Sequence, residues 1–293
     1  MKKYKNEKAG QLILKTYDEL LAKWGCAVEE KDIETTYGTT HVITWGKEDA
    51  KPVVLFHGVG DDSALMWIYN AEYLGRYFRL YAVDTMGGPG KSNPNENYGK
   101  GYNDVKWIDE ILEKLELTKV CLVGVSNGSY LSQLYTLHRP EKVEKAICIA
   151  GAVHAKVKGG SMRAIMKIFL PEALFPTERN VYKLIRKLTG KNYKVFTDDE
   201  TIMTHYKGLL KGFNNMAMSY HKVMEFEDDQ IDQIRDKVAF LAGEEDPFQK
   251  LGGKELLQKY HMQAFFYEDA GHGLNHELSK EINEKIVELL IEE

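Results

Sequence analysis

Cysteine is scarce. The 293 residues hold three, Cys26, Cys121 and Cys148. Their odd number and wide separation exclude a disulfide framework and give no zinc-knuckle spacing, so a reducing compartment is expected. Proline is also sparse, with seven in the chain, and no stretch rich in Pro, Gly or Ser separates two domains. Long apolar runs are missing. No segment approaches the roughly 20 apolar residues of a membrane helix. The start, Met1-Lys2-Lys3-Tyr4-Lys5, is basic, but the nearby run Leu12-Ile13-Leu14 falls short of the about 7–15 apolar residues of a secretory signal. A cytoplasmic location without membrane insertion is therefore expected. There is no excess of positive charge: 39 Lys and Arg against 44 Asp and Glu leave a net charge of -5. Nucleic-acid binding, which needs a basic face, is not expected. What is present suits a globular protein, 43% hydrophobic and 28% charged, long enough to bury a sizeable core.

Periodicity supplies the fold class. Leu12, Ile13, Tyr17, Leu20, Leu21 and Trp24 recur at helical spacing and predict an amphipathic leading helix over 9–24. Residues 33–45 read as a hairpin around Tyr37-Gly38-Thr39-Thr40. Then come short continuous apolar runs at 52–56, 80–83, 120–123, 143–150 and 238–242. Such runs mark buried parallel strands covered by helices on both faces. Helix-length segments near 62–77, 103–116 and 127–138 alternate with the first four, which predicts an α/β fold with a mostly parallel sheet. Ala264-Phe265-Phe266-Tyr267 reads as a last strand before a terminal helix. The alternation stops over 154–230, which has helical periodicity only. The expected organisation is one α/β core of 1–153 and 231–293 with a helical insertion of 154–230. That insertion carries Met162, Met166, Met203, Met216, Met218 and Met224 with Phe169, Phe175, Phe196 and Phe213. These could line an adaptable apolar cleft or simply pack the insertion against the core.

The chemistry gathers at strand ends. Gly124-Val125-Ser126-Asn127-Gly128 fits G-x-S-x-G, directly after the strand at 120–123 and directly before a helix, the setting of a nucleophile elbow. Gly124 and Gly128 permit the tight turn and leave the Ser126 hydroxyl at the tip of the sheet, before the positive end of the following helix. A serine hydroxyl needs an adjacent base. His272, in Ala270-Gly271-His272-Gly273 after the last strand, is the leading candidate, with His276 its main competitor. The His-x-x-x-His spacing raises a metal reading, but the H-E-x-x-H glutamate and a third ligand are lacking, so no metal is expected. An acid must orient the imidazole. Glu244, Glu245 and Asp246 compete after the strand at 238–242; Asp246, three past Gly243 and just before Pro247, is favoured. Oxyanion donors are expected from the backbone N–H of Asn127 and of Val59, the latter in His57-Gly58-Val59 after the strand at 52–56. Gly90-Lys91-Ser92 imitates the end of a phosphate-binding loop. Thr85 stands where that loop needs glycine, and Asn93-Pro94 follows where a helix should begin, which excludes it.

These motifs together resemble the α/β-hydrolase superfamily. The set is His57-Gly58 through Trp67, Asp84 with Gly87 and Gly90-Lys91-Ser92, Gly124 to Gly128, Gly243 to Asp246 and Gly271-His272-Gly273. The order Ser126, Asp246, His272 is the order of that superfamily. The usual D-x-x-G-x-G-x-S stretch carries one extra residue between Asp84 and Ser92. That form, the chain length and the leading helix are similar to bacterial carboxylesterases of the naproxen-esterase type. The resemblance implies an α/β-hydrolase fold with a helical cap over 154–230, a Ser126-His272-Asp246 triad, no cofactor and a small-molecule ester substrate; the methionines and phenylalanines of the insertion suggest a small or medium ester with an apolar acyl or aryl part. Serine at the elbow argues against dehalogenase or epoxide hydrolase chemistry. Lactonase, thioesterase, carbon–carbon hydrolase and aminopeptidase activities remain on the same triad, the last needing cap acids such as Glu172 or Glu178. A ligand-binding, hydrolase-like signalling protein is the reading from a different class.

Overall fold

One face of every central strand meets helices, and so does the other. In this computed structural model residues 2–156, 172 and 175–291 are described. Among them nine strands form one sheet in the order β1-β2-β4-β3-β6-β7-β8-β9, with β5 paired to β2. They are β1 (Glu29–Thr35), β2 (Gly38–Trp45), β3 (Pro52–Phe56), β4 (Arg79–Val83), β5 (Asn93–Pro94), β6 (Val120–Val125), β7 (Val143–Ile149), β8 (Val238–Gly243) and β9 (Gln263–Tyr267). From β4 through β3 to β9 every pairing is parallel; β1, β2 and β5 supply the antiparallel edge.

The helices are α1 (Glu7–Leu21), α2 (Ser63–Met66), α3 (Ala71–Leu74), α4 (Asp104–Lys114), α5 (Asn127–His138), α6 (Glu178–Leu188), α7 (Lys194–Thr197), α8 (Glu200–Gly212), α9 (Asp228–Ile234), α10 (Lys254–Lys259), α11 (Leu274–Glu277) and α12 (Ser279–Ile291). Strand alternation divides the core in two. Val53 and Leu55 join Tyr17, Trp24, Trp67, Ile282 and Ile286 on one face. Val54 and Phe56 join Trp107, Ile111, Leu131, Leu134 and Phe226 on the other. Burial on both sides is why β3, β6 and β8 carry unbroken apolar runs rather than alternation.

Two local expectations shift. The helix expected over 62–77 is broken into α2 and α3. Asn70, fully buried, stands immediately before α3 and donates its side-chain amide to the Asn275 carbonyl and the Asn283 amide oxygen, at 3.1 and 2.7 Å. The hairpin tip lies at Thr36-Tyr37, two residues earlier than the Gly-Thr-Thr reading, and Thr39 and Thr40 belong to β2. Gly38 is needed there because φ is +126° and a Cβ would stand 2.3 Å from the Asn93 carbonyl oxygen.

Between β7 and β8 lie α6, α7, α8, a 3-10 turn at Asn215–Met218 and α9. In the described part of this segment the strand-like pairings are isolated bridges, Ala155 with Phe226 and Phe213 with Tyr4. Met162, Met166 and Phe169 lie outside the described residues. Phe196, Phe213 and Met218 are buried, whereas Phe175, Met216 and Met224 are exposed. The leading helix α1 packs directly on α8, where a Cβ at Gly212 would come within 2.7 Å of the Ala9 Cβ.

Candidate active site

Parallel strands bring their carboxyl ends to one edge, and the candidate serine, histidine, acid and oxyanion donors follow such ends, those of β3, β6, β8 and β9. The turn after β6 is forced by close packing. A Cβ at Gly124 would stand 2.0 Å from the Gly128 carbonyl oxygen, and one at Gly128 would stand 2.1 Å from the Phe56 carbonyl oxygen. Ser126 between them sits at φ +56° and ψ −111°, a region that costs an L-residue on the order of 1–3 kcal/mol. Its N–H donates to the Ile149 carbonyl at 2.9 Å. Its hydroxyl makes no cap bond to α5, although serine is a preferred cap. Asn127 is the first residue of α5, so its N–H has no acceptor within the helix.

After β8 and β9, His272 and Asp246 meet. Nδ1 of His272 lies 2.9 Å from Oδ2 of Asp246, whose other oxygen accepts the Phe248 N–H at 2.9 Å. Asp246 is fully buried. A carboxylate accepts only, so Nδ1 carries a proton and donates it to Asp246. The Phe248 ring lies 4.6 Å from the imidazole, centroid to centroid. Gln249 then ties this loop back to β7, its side chain donating to the Gly151 carbonyl at 2.9 Å. Gly151 itself lies against Ser129 on the first turn of α5, where a Cβ would come within 2.0 Å of the Ser129 hydroxyl. The loops after β6, β7, β8 and β9 are thus packed in series. Among the described residues, no hydrogen bond joins the Ser126 hydroxyl to the His272 ring. The competing acids sit elsewhere: Glu244 pairs with Lys254 at 2.7 Å and Glu245 is exposed. His276 is buried, donates through Nε2 to the Leu65 carbonyl at 3.0 Å, and is pushed down to about 4 by burial.

The loop after β3 lies beside the serine, since a Cβ at Gly58 would stand 3.4 Å from the Ser126 Cβ. His57 is buried as a strut. Its Nε2 accepts the Thr85 N–H at 2.9 Å, so Nδ1 carries the proton and donates to the Gly58 carbonyl at 2.8 Å. Val59, next in line, is 58% exposed. Asp84 fastens the same loop by accepting from the N–H groups of Ser63 (3.0 Å) and Lys91 (2.6 Å). A Cβ at Gly90 would collide with that carboxylate at 2.2 Å. Asp84 to Ser92 is therefore scaffold. Of the acids considered for an amine substrate, Glu172 is buried and paired with Lys187 at 2.6 Å, and Glu178 opens α6 on the surface. Among the described residues no three His, Cys, Asp or Glu side chains are grouped to hold a metal ion, and no helix is long and apolar enough to cross a membrane.

Residues 51–277 match the α/β-hydrolase fold family. The chain belongs to that family. Carboxylesterase YbfK of Bacillus subtilis (strain 168) is 30% identical to this hydrolase-fold chain over 182 residues, 62% of this chain and 55% of that protein. The uncharacterized carboxylesterase nap of the same organism is 30% identical over 177 residues, 60% of this chain and 52% of that protein. The matched region spans about half the length of these curated relatives. Crystal structures of carboxylesterase CesB (YbfK) and of naproxen esterase (carboxylesterase NP) from Bacillus subtilis superpose with TM-scores of 0.80 and 0.84, each at 23% identity. They cover 97% and 98% of this chain and 99% of each solved chain. At that identity the likeness is one of fold.

One group in this α/β-hydrolase had no sequence signal. His205 of α8 is fully buried and reaches the loop after β3, its Nε2 lying 2.8 Å from Oδ2 of Asp62. Its Nδ1 lies 2.7 Å from the Thr16 hydroxyl of α1, which already donates to the carbonyls of Leu12 and Ile13. With the single Thr16 hydrogen turned to those carbonyls, its oxygen can accept from Nδ1 while Nε2 faces the Asp62 carboxylate, an arrangement that favours the imidazolium. Burial opposes that charge, but the Asp62 charge and hydrogen bond outweigh it and raise His205 above its ordinary value. Burial likewise opposes the Asp62 carboxylate, and His205 outweighs it, so Asp62 is lowered. Neighbouring Asp61 is pushed up to about 7 by burial and by the Asp62 charge. Nothing in a single sequence marks a pair separated by 143 positions.

Proposed function

We propose that this protein is a carboxylesterase-type serine hydrolase working through an acyl-enzyme. The observation that carries the reading is a strained, uncapped serine at the edge of a sheet whose neighbouring loops hold a histidine–aspartate pair. Its membership of the α/β-hydrolase family and its carboxylesterase relatives support the same reaction. Ser126 attacks the ester carbonyl as Nε2 of His272 takes its proton, and Asp246 stabilises the imidazolium that forms. Oxygen charge in the tetrahedral intermediate is met by the N–H groups of Val59 and Asn127. The intermediate collapses, the imidazolium gives its proton to the leaving alkoxide, and an acyl-serine remains. Water, deprotonated by the same imidazole, attacks the acyl carbon and releases the acid with Ser126 restored. The Ser126–His272 contact closes with substrate, as such contacts tighten in the Michaelis complex.

The described part of the segment between β7 and β8 acts as a cap over this edge, and the substrate is a small or medium ester with an apolar acyl or aryl part. Exposed Val59, Met216 and Met224 support that preference. The position of the 3-10 turn supports the cap reading, since Asn215 Oδ1 would stand 3.2 Å from a Cβ at Gly60 in the loop after β3. The site needs no metal or cofactor for these steps, and the working place is the cytoplasm. Ser126→Ala should remove p-nitrophenyl ester turnover by on the order of 10⁴-fold or more while far-UV circular dichroism is unchanged. A p-nitrophenyl panel should favour apolar over charged acyl groups. Turnover persisting in Ser126→Ala would end the serine mechanism, and a flat panel would end the apolar-substrate reading alone.

A further inference from the structure

Glu277, at the end of α11, is a buried carboxylate that the steps above do not use. Both of its oxygens take backbone N–H groups from two separate stretches of chain. Oε1 accepts from Gly271 at 3.0 Å and Oε2 accepts from Gly190 at 2.6 Å. Gly271 immediately precedes His272. Gly190 lies two residues beyond α6, in the segment between β7 and β8. The same stretches are laced by His272 N–H to the Leu188 carbonyl (2.6 Å), Lys191 N–H to the Asp269 carbonyl (2.7 Å) and the Asn192 side chain to the Glu277 carbonyl (3.1 Å). They run at backbone contact: a Cβ at Gly271 would stand 2.3 Å from the Leu188 carbonyl oxygen, and one at Gly190 would stand 2.0 Å from the Asp269 carbonyl oxygen.

Among the described residues no Lys or Arg forms an ion pair with Glu277. Burial raises its carboxyl above the ordinary value, and the Gly271 and Gly190 N–H groups pull it back. A buried charge without a counter-ion is costly unless hydrogen bonds satisfy it. Here it is the acceptor for two backbone donors, Gly271 buried and Gly190 half-buried, on either side of the histidine loop.

We propose that Glu277 is a positioning residue for His272: by bridging Gly271 to Gly190 it clamps the loop carrying the imidazole onto the segment after α6, so that ring placement and attachment of that segment are set together. This rests on reading His272 as the base. The Asp246 bond fixes the rotation of the ring, and the Glu277 bridge fixes the backbone from which the ring projects.

The test compares wild type, Glu277→Ala, Glu277→Gln and His272→Ala on p-nitrophenyl butyrate, with the low-field Nδ1–H proton signal of His272 recorded for each folded protein. Glu277→Ala should lower kcat about 100-fold, the usual scale for a displacement near 1 Å, with KM little changed and the low-field signal broadened or lost. Glu277→Gln keeps one carbonyl acceptor and should fall between wild type and Ala. If Glu277→Ala does not fold, Glu277→Gln carries the test, because it keeps the size of the side chain. A wild-type kcat and an unaltered proton signal in the folded variants, or a loss confined to thermal stability, overturns the proposal. In that outcome an inactive His272→Ala leaves the triad reading standing. Activity persisting in His272→Ala removes the reading on which the proposal is built.

Discussion

At Ser126 the backbone does the selecting. A side chain at φ +56° is held there only because the flanking glycines let a strand and a helix approach to backbone contact. The cost of that conformation is met by the packing on both sides. Gly128→Ala should therefore be more damaging than its size suggests, since the new Cβ meets a carbonyl oxygen of β3 at 2.1 Å and not a pliant side chain. We expect a loss of about 1–3 kcal/mol, as for overpacking, seen as a lowered Tm, together with reduced esterase activity as the serine is displaced. A Gly128→Ala protein with wild-type Tm and turnover would show that the close approach is not required. Ser126 is legible in the sequence because its whole setting is local, strand, glycine, serine, glycine and helix within a few residues. Asp246 and His272 are legible because each follows an apolar strand and a glycine. Glu277 is not, because both of its partners are backbone groups, one of them 87 positions away.

Elements show the same division between local and distant causes. Continuous apolar runs locate β3, β4, β6 and β8 because double-sided burial is written into nearly every residue of the strand, whereas Glu144 and Lys145 interrupt the run in β7. The break between α2 and α3 is hidden, since Asn70 beside it has its partners more than 200 positions away. The tie between α8 and the loop after β3 is equally hidden. His205, Asp62 and Thr16 join three elements in one buried chain of hydrogen bonds, and Asp61 and Asp84 are the other charged groups whose fields reach His205. His205→Ala would remove the counter-ion of the buried Asp62 and leave its carboxyl, among the described residues, with the Leu65 N–H alone, so a loss of about 3–5 kcal/mol is expected, as for broken buried pairs. The pH dependence has a definite sign. His205 titrates above its ordinary 6.5 in the folded state, so its contribution is full below that value and fades as pH rises through the raised one. Asp62 titrates below its ordinary 3.8, so its contribution is full above that value and fades as pH falls through the lowered one. The stability difference between wild type and His205→Gln, from urea unfolding, should be widest between pH 3.8 and 6.5 and narrow in alkaline buffer. A difference that grows with rising pH would mean that the ring is held neutral.

For the molecule as a whole, topology turns separate motifs into a site. Parallel order puts the ends of β3, β6, β8 and β9 along one edge, and the loops behind them are packed in series from Ser129 through Gly151 and Gln249 to the His272–Asp246 pair. The segment between β7 and β8 then closes on that edge twice, through His205 at the β3 loop and through Leu188–Asn192 at the histidine loop. Periodicity in the sequence gives the layers of the sheet and its helices, but not these two attachments, which need three-dimensional neighbours to be known first. On the proposed mechanism this edge makes one hydroxyl reactive, a property read by treating the folded protein with a fluorophosphonate and mapping the adduct by mass spectrometry. A single phosphonylated residue, Ser126, should form as ester turnover is lost, and labelling should slow sharply in His272→Ala. An adduct on another residue, or full loss of turnover with Ser126 unmodified, would contradict that mechanism.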